Sequence, residues 1–279
     1  MVARNVKYFS DESHPWVQST PFKDIRVRDL LSEAIKKVES GPKSSKSPVF
    51  VIDIDSTLLG LGKRLRSIFM SYIRSHPKPP LWAHKAIPHM EPFNHHYSLG
   101  KALSLMVPKA EFSREGFQEE FESFFGGFKD FWENHFFSDR HLHFDEAYPG
   151  AVEFVNSLED HGIGVVYLTG RDRPRTGQGT LNSLKKLGYK MGENYKLLMK
   201  PTPTEFDVVF KKRAIEVLVR QHQVLAMIDN EPENLVMFAR HSPYSEIVFF
   251  HSIMSPRVPE ENIQKYLNGR KVLRLKNFD

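Results

Sequence analysis

From Val152 onward the sequence repeats one pattern, an amphipathic helical segment followed by a short apolar run. AVEFVNSLEDHG leads into GVVYLT (164–169), TLNSLKKLG into YKLLMK (195–200), FKKRAIEVLVRQ into VLAMID (224–229), and PENLVMFAR into EIVFFH (246–251). Runs this apolar cannot keep one face wet, so they need cover on both sides. Helices between successive strands supply that cover and join the strands in parallel. An earlier run, VFVI (49–52), has the same character and opens the series. Before it, RDLLSEAIKKVES (28–40) places Leu30, Leu31, Ala34, Ile35 and Val38 at helical spacing, and the polar segment GPKSSKSP (41–48) ends that helix. The expected fold is α/β, a Rossmann-like doubly wound parallel sheet.

Residues 60–148 interrupt the pattern directly after its first strand. They are rich in Phe, His and Pro and contain no clear strand. Phe117, Phe121, Phe124, Phe125, Phe128 and Trp132 fall at three- and four-residue steps, which predicts an amphipathic helix with Gly126-Gly127 as a candidate break. This stripe reads as core rather than as an aromatic ligand box. The organisation is therefore an α/β core over 1–59 and 149–279, with 1–48 as an N-terminal segment and helix, and an α-helical insertion over 60–148. Residues 1–27 carry no assigned role.

In such a sheet, active groups collect where strands end at their carboxyl side. The first strand runs into Asp53 and Asp55, two residues apart and on one side of an extended chain, where like charges repel. The second ends at Thr169 in LTGRD, and the fourth at Asp229 in IDNEPEN. An isolated DxD is a weak signal, most often a solvated turn, and LTGRD alone reads equally as a strand followed by a helix cap. Taken in order, each at a strand end, the set suits phosphoryl transfer. One carboxylate attacks phosphorus, and a second two residues on handles protons. Mg²⁺ takes hard oxygen ligands and needs only one or two carboxylates, so Asp53 and Asp229 could supply them, and the ion would relieve the repulsion between Asp53 and Asp55. Thr169, the backbone N–H groups that follow it at Gly170, and Lys211 can hold phosphoryl oxygens. Among Lys211, Lys212 and Lys200, Lys211 is preferred. Ala214, Ile215 and Leu218 follow it at +3, +4 and +7, which turns it toward the sheet.

These motifs resemble the haloacid dehalogenase (HAD) superfamily of phosphohydrolases over residues 49–59 and 149–251. The resemblance implies Asp53 as nucleophile and Asp55 as general acid/base in DIDST. It further implies Thr169 as phosphate binder in LTGRD, Lys211 as the third-motif lysine, and Asp229 as a metal ligand. It also puts the backbone carbonyl of Asp55 on the metal and the first strand between the second and fourth. An insertion at 60–148 lies where HAD enzymes carry a C1-type helical cap, which excludes water and selects substrate. The fourth motif departs from the family's pattern: Asn230 stands where a second aspartate often occurs, and Glu233 is given a supporting metal role.

The resulting expectation is a Mg²⁺-dependent phosphatase acting on a small phosphorylated metabolite. The alternatives are a nucleotide or polynucleotide phosphatase, or a HAD-fold binding protein without turnover. The net charge of +5 is spread along the chain with no basic block, so nucleic acid is not an expected partner. The chain has no cysteine, which excludes thiolate catalysis and cysteine-held metals. No stretch reaches the roughly 20 apolar residues that span a bilayer, and the N-terminus lacks the apolar core of a signal peptide, so a cytoplasmic location is expected and a homodimer allowed. Eight of the thirteen histidines fall between 60 and 148, including His95-His96 and the HLH of 141–143. The strand-like i, i+2 spacing of HLH has no partner ligand in view, so ordinary structural histidines are expected there. Arg171, Arg173 and Arg175 could meet a second anionic group of the substrate, although a solvated loop is the plainer reading.

Overall fold

A computed structural model describes residues 13–40, 45–192 and 195–279. The breaker segment and the N-terminal stretch therefore lie partly outside the described residues, at 41–44 and 1–12. The described chain forms two compact units. One comprises the residues up to Leu59, Ala147–Pro174 and Leu184–Asp279; the other comprises Gly60–Glu146 and Arg175–Ser183.

The first unit is built on a seven-stranded sheet. Its strands are β1 (Phe22–Asp24), β2 (Pro48–Ile52), β3 (Gly164–Asp172), β4 (Lys196–Lys200), β5 (Gln223–Asp229), β6 (Glu246–Phe250) and β7 (Val272–Leu275). The order is β1-β7-β6-β5-β2-β3-β4, and every pairing is parallel. Thus β2 lies between β3 and β5, with Ile52 opposite both Tyr167 and Ile228.

Side-chain alternation along β2 divides the core in two. Phe50 and Ile52 join a layer that includes α2 (Val27–Ser40) and α7 (Ala151–Asp160) through Leu30, Phe154 and Leu158. Val49 and Val51 point into the opposite layer, with Ile215 and Leu218 of α9 (Asp207–Gln221) and Leu235 and Phe238 of α10 (Pro232–His241). Both faces of the sheet are dry, as the unbroken apolar runs require. Two strands of this sheet were not foreseen. β1 and β7 are short, and their pairing is long-range, with Phe22 opposite Val272. The short helix α1 (Pro15–Ser19) is held beside them: Trp16 is buried, with its ring 5.2 Å from Phe22 and 5.0 Å from Phe249. Residues 13–24 therefore complete one edge of this unit.

The second unit is helical. Its main elements are α3 (Gly62–Ser75), α4 (Leu81–Ala86), α5 (Leu99–Met106) and α6 (Phe117–Phe136). The aromatic stripe is core: Phe117, Phe124 and Phe128 are buried with Phe69, Tyr72 and Trp82. Helix α6 runs through Gly126-Gly127 without a break, contrary to the candidate break in the sequence reading. A Cβ at Gly127 would come within 2.3 Å of the Tyr72 hydroxyl, so the missing side chain is the space into which α3 packs. Tyr72 Oη then donates to Phe124 O at 3.3 Å. Packing of this kind outweighs the roughly 1 kcal/mol that each glycine costs a helix. The HLH segment lies in a 3₁₀ helix, Asp139–Phe144, and not in a strand. Within α8 (Arg173–Leu187), the stretch Arg175–Ser183 belongs to this unit, where Gly179 N donates to Asp139 Oδ1 at 2.9 Å and Ser183 Oγ to Leu142 O at 3.1 Å. Among the described residues, no helix is long and apolar enough to cross a membrane.

Candidate active site

The order of the strands brings the sequence motifs to one rim of the sheet. Asp53 follows β2 directly, and its N–H still donates to Ile228 O of β5 at 3.0 Å. Asp229 ends β5, so the two carboxylates leave neighbouring strands side by side. Lys211 reaches them from α9, with Nζ 2.6 Å from Asp53 Oδ1 and 2.8 Å from Asp229 Oδ2. Helix periodicity explains its aim: Ile215 and Leu218, at +4 and +7, are buried against the sheet. Its two competitors are occupied elsewhere. Lys212 is half exposed, 3.9 Å from Glu216 on its own helix, and Lys200 Nζ lies 2.7 Å from Asp207 Oδ1.

After Asp53 the chain turns sharply. The N–H groups of Leu58 and Leu59 both donate to Ile54 O at 2.9 Å, and Ser56 N donates to Leu59 O at 2.8 Å. Ser56 adopts a left-handed φ of 59°, a conformation that costs a non-glycine residue on the order of 1 kcal/mol. Its carbonyl is held by the Ser252 hydroxyl. This turn sets Asp55 beside β3, where Arg171 grips it with both arms: Nε to Oδ2 at 2.9 Å and Nη2 to Oδ1 at 2.6 Å.

Thr169 is fully buried on β3, and its Oγ1 accepts from Arg171 N at 3.2 Å. At Gly170 a Cβ would meet Asp207 Oδ2 at 2.3 Å, so the backbone there lies close under the first turn of α9. Asp229 is fixed by more than Lys211: Oδ1 accepts from Glu231 N at 2.8 Å and Oδ2 from Asn234 Nδ2 at 3.0 Å. Asn230 is structural, with Oδ1 accepting from Thr57 Oγ1 at 3.1 Å and Nδ2 donating to Ile253 O at 2.5 Å. Glu233 is not joined to this cluster. It lies in the first turn of α10, and its polar partner among the described residues is Arg257, at 3.4 Å. Glu231 turns instead to Ser255, accepting from its N–H at 2.9 Å and its hydroxyl at 2.6 Å.

By formal charge, the cluster sets two carboxyl groups against one ammonium. Burial pushes the Asp53 carboxyl up from the usual range; the Lys211 ammonium opposes this, while Asp229 and Asp55 add to it. For Lys211, burial disfavours the ammonium, but Asp229 and Asp53 outweigh burial and raise its pKa. Two carboxylates share one ammonium, and the site gains from any further positive charge. Asp53 Oδ1 is engaged by Lys211, whereas Oδ2 has no hydrogen bond among the described residues.

Three members of this arrangement escaped the sequence reading. Asn234 sits within IDNEPEN, and its position in the first turn of α10 was the signal that could have shown it reaching back to Asp229. Glu231 N is the helix-entry amide of the same motif. For Arg171 as a partner of Asp55, 116 residues earlier in the chain, local sequence carries no signal.

A sequence model of the HAD superfamily, subfamily IIIB (acid phosphatase), matches residues 122–272, more than half of the chain. The chain belongs to this family. It is a HAD-type phosphoric monoester hydrolase on a Rossmann-like sheet. The matched span contains Thr169, Gly170, Lys211 and Asp229, while Asp53 and Asp55 lie before it. No curated protein matches the sequence. Among solved structures, the HAD phosphohydrolase resembles a haloacid dehalogenase-like family hydrolase from Streptococcus pneumoniae at 10% identity, covering 84% of this chain and 96% of that one, with a TM-score of 0.45. It also resembles a predicted phosphoglycolate phosphatase from Haemophilus somnus (14% identity, 85% and 96% covered, TM-score 0.44). A hydrolase from Pseudomonas syringae is similar at 15% identity, with 83% and 94% covered and a TM-score of 0.39.

Proposed function

We propose that the protein is a Mg²⁺-dependent phosphatase that hydrolyses a small phosphorylated metabolite through an aspartyl-phosphate on Asp53. The observation that carries this reading is the buried bridge of Asp53, Lys211 and Asp229, in which two carboxylates share one ammonium at adjoining strand ends.

A divalent cation suits that donor set. Mg²⁺ is commonly held by one or two carboxylates, with water and substrate oxygens completing its shell. Asp53 and Asp229 supply two carboxylates with an uncompensated charge. Asp53, Asp229 and the Asp55 carbonyl would hold the ion, and Glu233, paired with Arg257, would act at most from outside. When bound, the ion neutralises phosphoryl oxygens and screens the nucleophile from them.

In the proposed reaction the free Oδ2 of Asp53 attacks phosphorus. As the Asp53–phosphorus bond forms, the bond to the leaving oxygen breaks and Asp55 gives that oxygen a proton. Water then attacks the aspartyl-phosphate, Asp55 takes a proton from it, and phosphate leaves as Asp53 is regenerated. Lys211, Thr169 and the backbone N–H at Gly170 hold the phosphoryl oxygens. General acid–base catalysis contributes about 10²–10⁴-fold, whereas phosphate-monoester hydrolysis is accelerated by up to about 10²¹-fold. Charge stabilisation and positioning therefore carry most of the acceleration. Residues 60–148 are proposed to serve as the cap that selects the substrate.

The test is Asp53→Asn assayed with p-nitrophenyl phosphate and Mg²⁺. The expected result is loss of turnover in a folded protein, with no phosphate trapped on the enzyme. Full activity in this variant rejects Asp53 as nucleophile.

A further inference from the structure

Arg171 is buried, and its guanidinium holds the Asp55 carboxylate in a two-pronged contact. The backbone explains how it comes there. Ile52 pairs with Tyr167 across β2 and β3, so Asp55 and Arg171 lie three and four residues beyond one rung of the ladder. On the other side of β3, the register with β4 shifts between Thr169 and Asp172. Such an irregularity releases residues from the ladder and re-aims their side chains, and Arg171 sits within it. Two fixed strands thus deliver the two groups, and neither depends on a long loop.

The side chain of Asp55 is 28% exposed, whereas that of Arg171 is 3% exposed. The carboxylate lies at the open edge of the pair and the guanidinium behind it. We propose that Arg171 is a positioning residue for Asp55, fixing the plane and rotamer of its carboxyl group: the fork itself favours the carboxylate, so the proton that Asp55 hands to the departing oxygen is carried on a lone pair turned away from the guanidinium, and the same lone pair later receives one from water. This inference rests on the proposed role of Asp55 as acid/base. It differs from the plain expectation that an arginine after Thr169 binds a second anionic group of the substrate, because Nε and Nη2 are both engaged by Asp55. A planar fork restrains both oxygens at once, which a single ammonium cannot do. A proton donor displaced by about 1 Å loses on the order of 10²-fold in rate.

The experiment measures kcat/KM, with Mg²⁺, for two phosphate monoesters that differ in need of an acid. The alkoxide of glycerol phosphate must be protonated as it leaves; the anion of 2,4-dinitrophenyl phosphate departs unaided. Arg171→Met is expected to lower kcat/KM for glycerol phosphate about 30-fold while leaving the dinitrophenyl ester within about 3-fold. Arg171→Lys, which keeps the charge but not the fork, is expected to fall between Arg171→Met and the parent. If Arg171→Met does not fold, Arg171→Lys carries the test through the same ratio of the two substrates. Asp55→Asn separates the two claims. A leaving-group-dependent loss in Asp55→Asn, with an equal loss on both esters in the Arg171 variants, overturns the clamp alone. A rise in KM on both esters without a change in their ratio also overturns it and makes Arg171 a substrate contact. Unchanged glycerol phosphate turnover in Asp55→Asn overturns the acid/base role and the clamp together.

Discussion

Replacing Lys211 by methionine tests whether the site holds surplus negative charge. The side chain is 4% exposed and bridges Asp53, 8% exposed, and Asp229, fully buried. Methionine fills most of the same volume, so the main loss is electrostatic. Two carboxylates would then face one another with no cation between them. Removing one partner of a buried ion pair typically costs about 3–5 kcal/mol. At about 2–4 °C per kcal/mol, the metal-free variant should melt roughly 6–20 °C below the parent at pH 7. Two manipulations should recover much of this. Saturating Mg²⁺ at about 100 times its Kd adds about 2.7 kcal/mol, provided that the ion binds between the same carboxylates. Adding Asp53→Asn removes the repulsion itself, so the double variant should be more stable than Lys211→Met alone, a non-additivity expected of residues in direct contact. The assay is thermal and urea unfolding of all three variants, in chelator and in Mg²⁺. Lys211→Met within about 0.5 kcal/mol of the parent in chelator, the spread expected of an ordinary surface change, would refute the reasoning.

Two further outcomes are expected in the helical unit. Phe128 is fully buried, with its ring 5.2 Å from Phe69, so Phe128→Ala should cost about 3–5 kcal/mol by cavity formation, read as a lower urea midpoint with an unchanged slope. Burial lowers the pKa of His141 from 6.5 to about 4, with His135, Arg140, His143 and Arg64 adding repulsion. Its Nδ1 lies 3.0 Å from Ser67 Oγ, while Nε2 is buried without a hydrogen-bond partner among the described residues. Because the folded value is depressed, the neutral ring's stabilisation is complete above pH 6.5 and is lost as pH falls toward 4. Discounted for solvent screening, it amounts to about 1–2 kcal/mol. His141→Phe should flatten stability between pH 6.5 and 4, measured by urea unfolding; an unaltered slope there would show that His141 is not the group responsible.

Much of the fold was legible because its signals are local. β2, β3, β5 and β6 are apolar runs that demand two dry faces, and the helices between them carry their own periodicity. What escaped was short or distant. β1 and β7 have only three and four residues, and they gain stability only by pairing across some 250 positions of sequence. The glycine pair in α6 reads locally as a break, yet the space at Gly127 is filled by Tyr72, a residue of another helix.

Sequence alone determined which chemical groups stand at the strand ends and which face of α9 carries Lys211, since both follow from periods of two and 3.6 residues. Tertiary structure decided the partners. It joined Lys211 to Asp53 and Asp229 and set Asn234 against Asp229. It left Glu233 with Arg257 and gave Asp55 to Arg171. The physical reason is that backbone propensity acts over a few residues, whereas an ion pair depends on where two distant segments leave the same sheet.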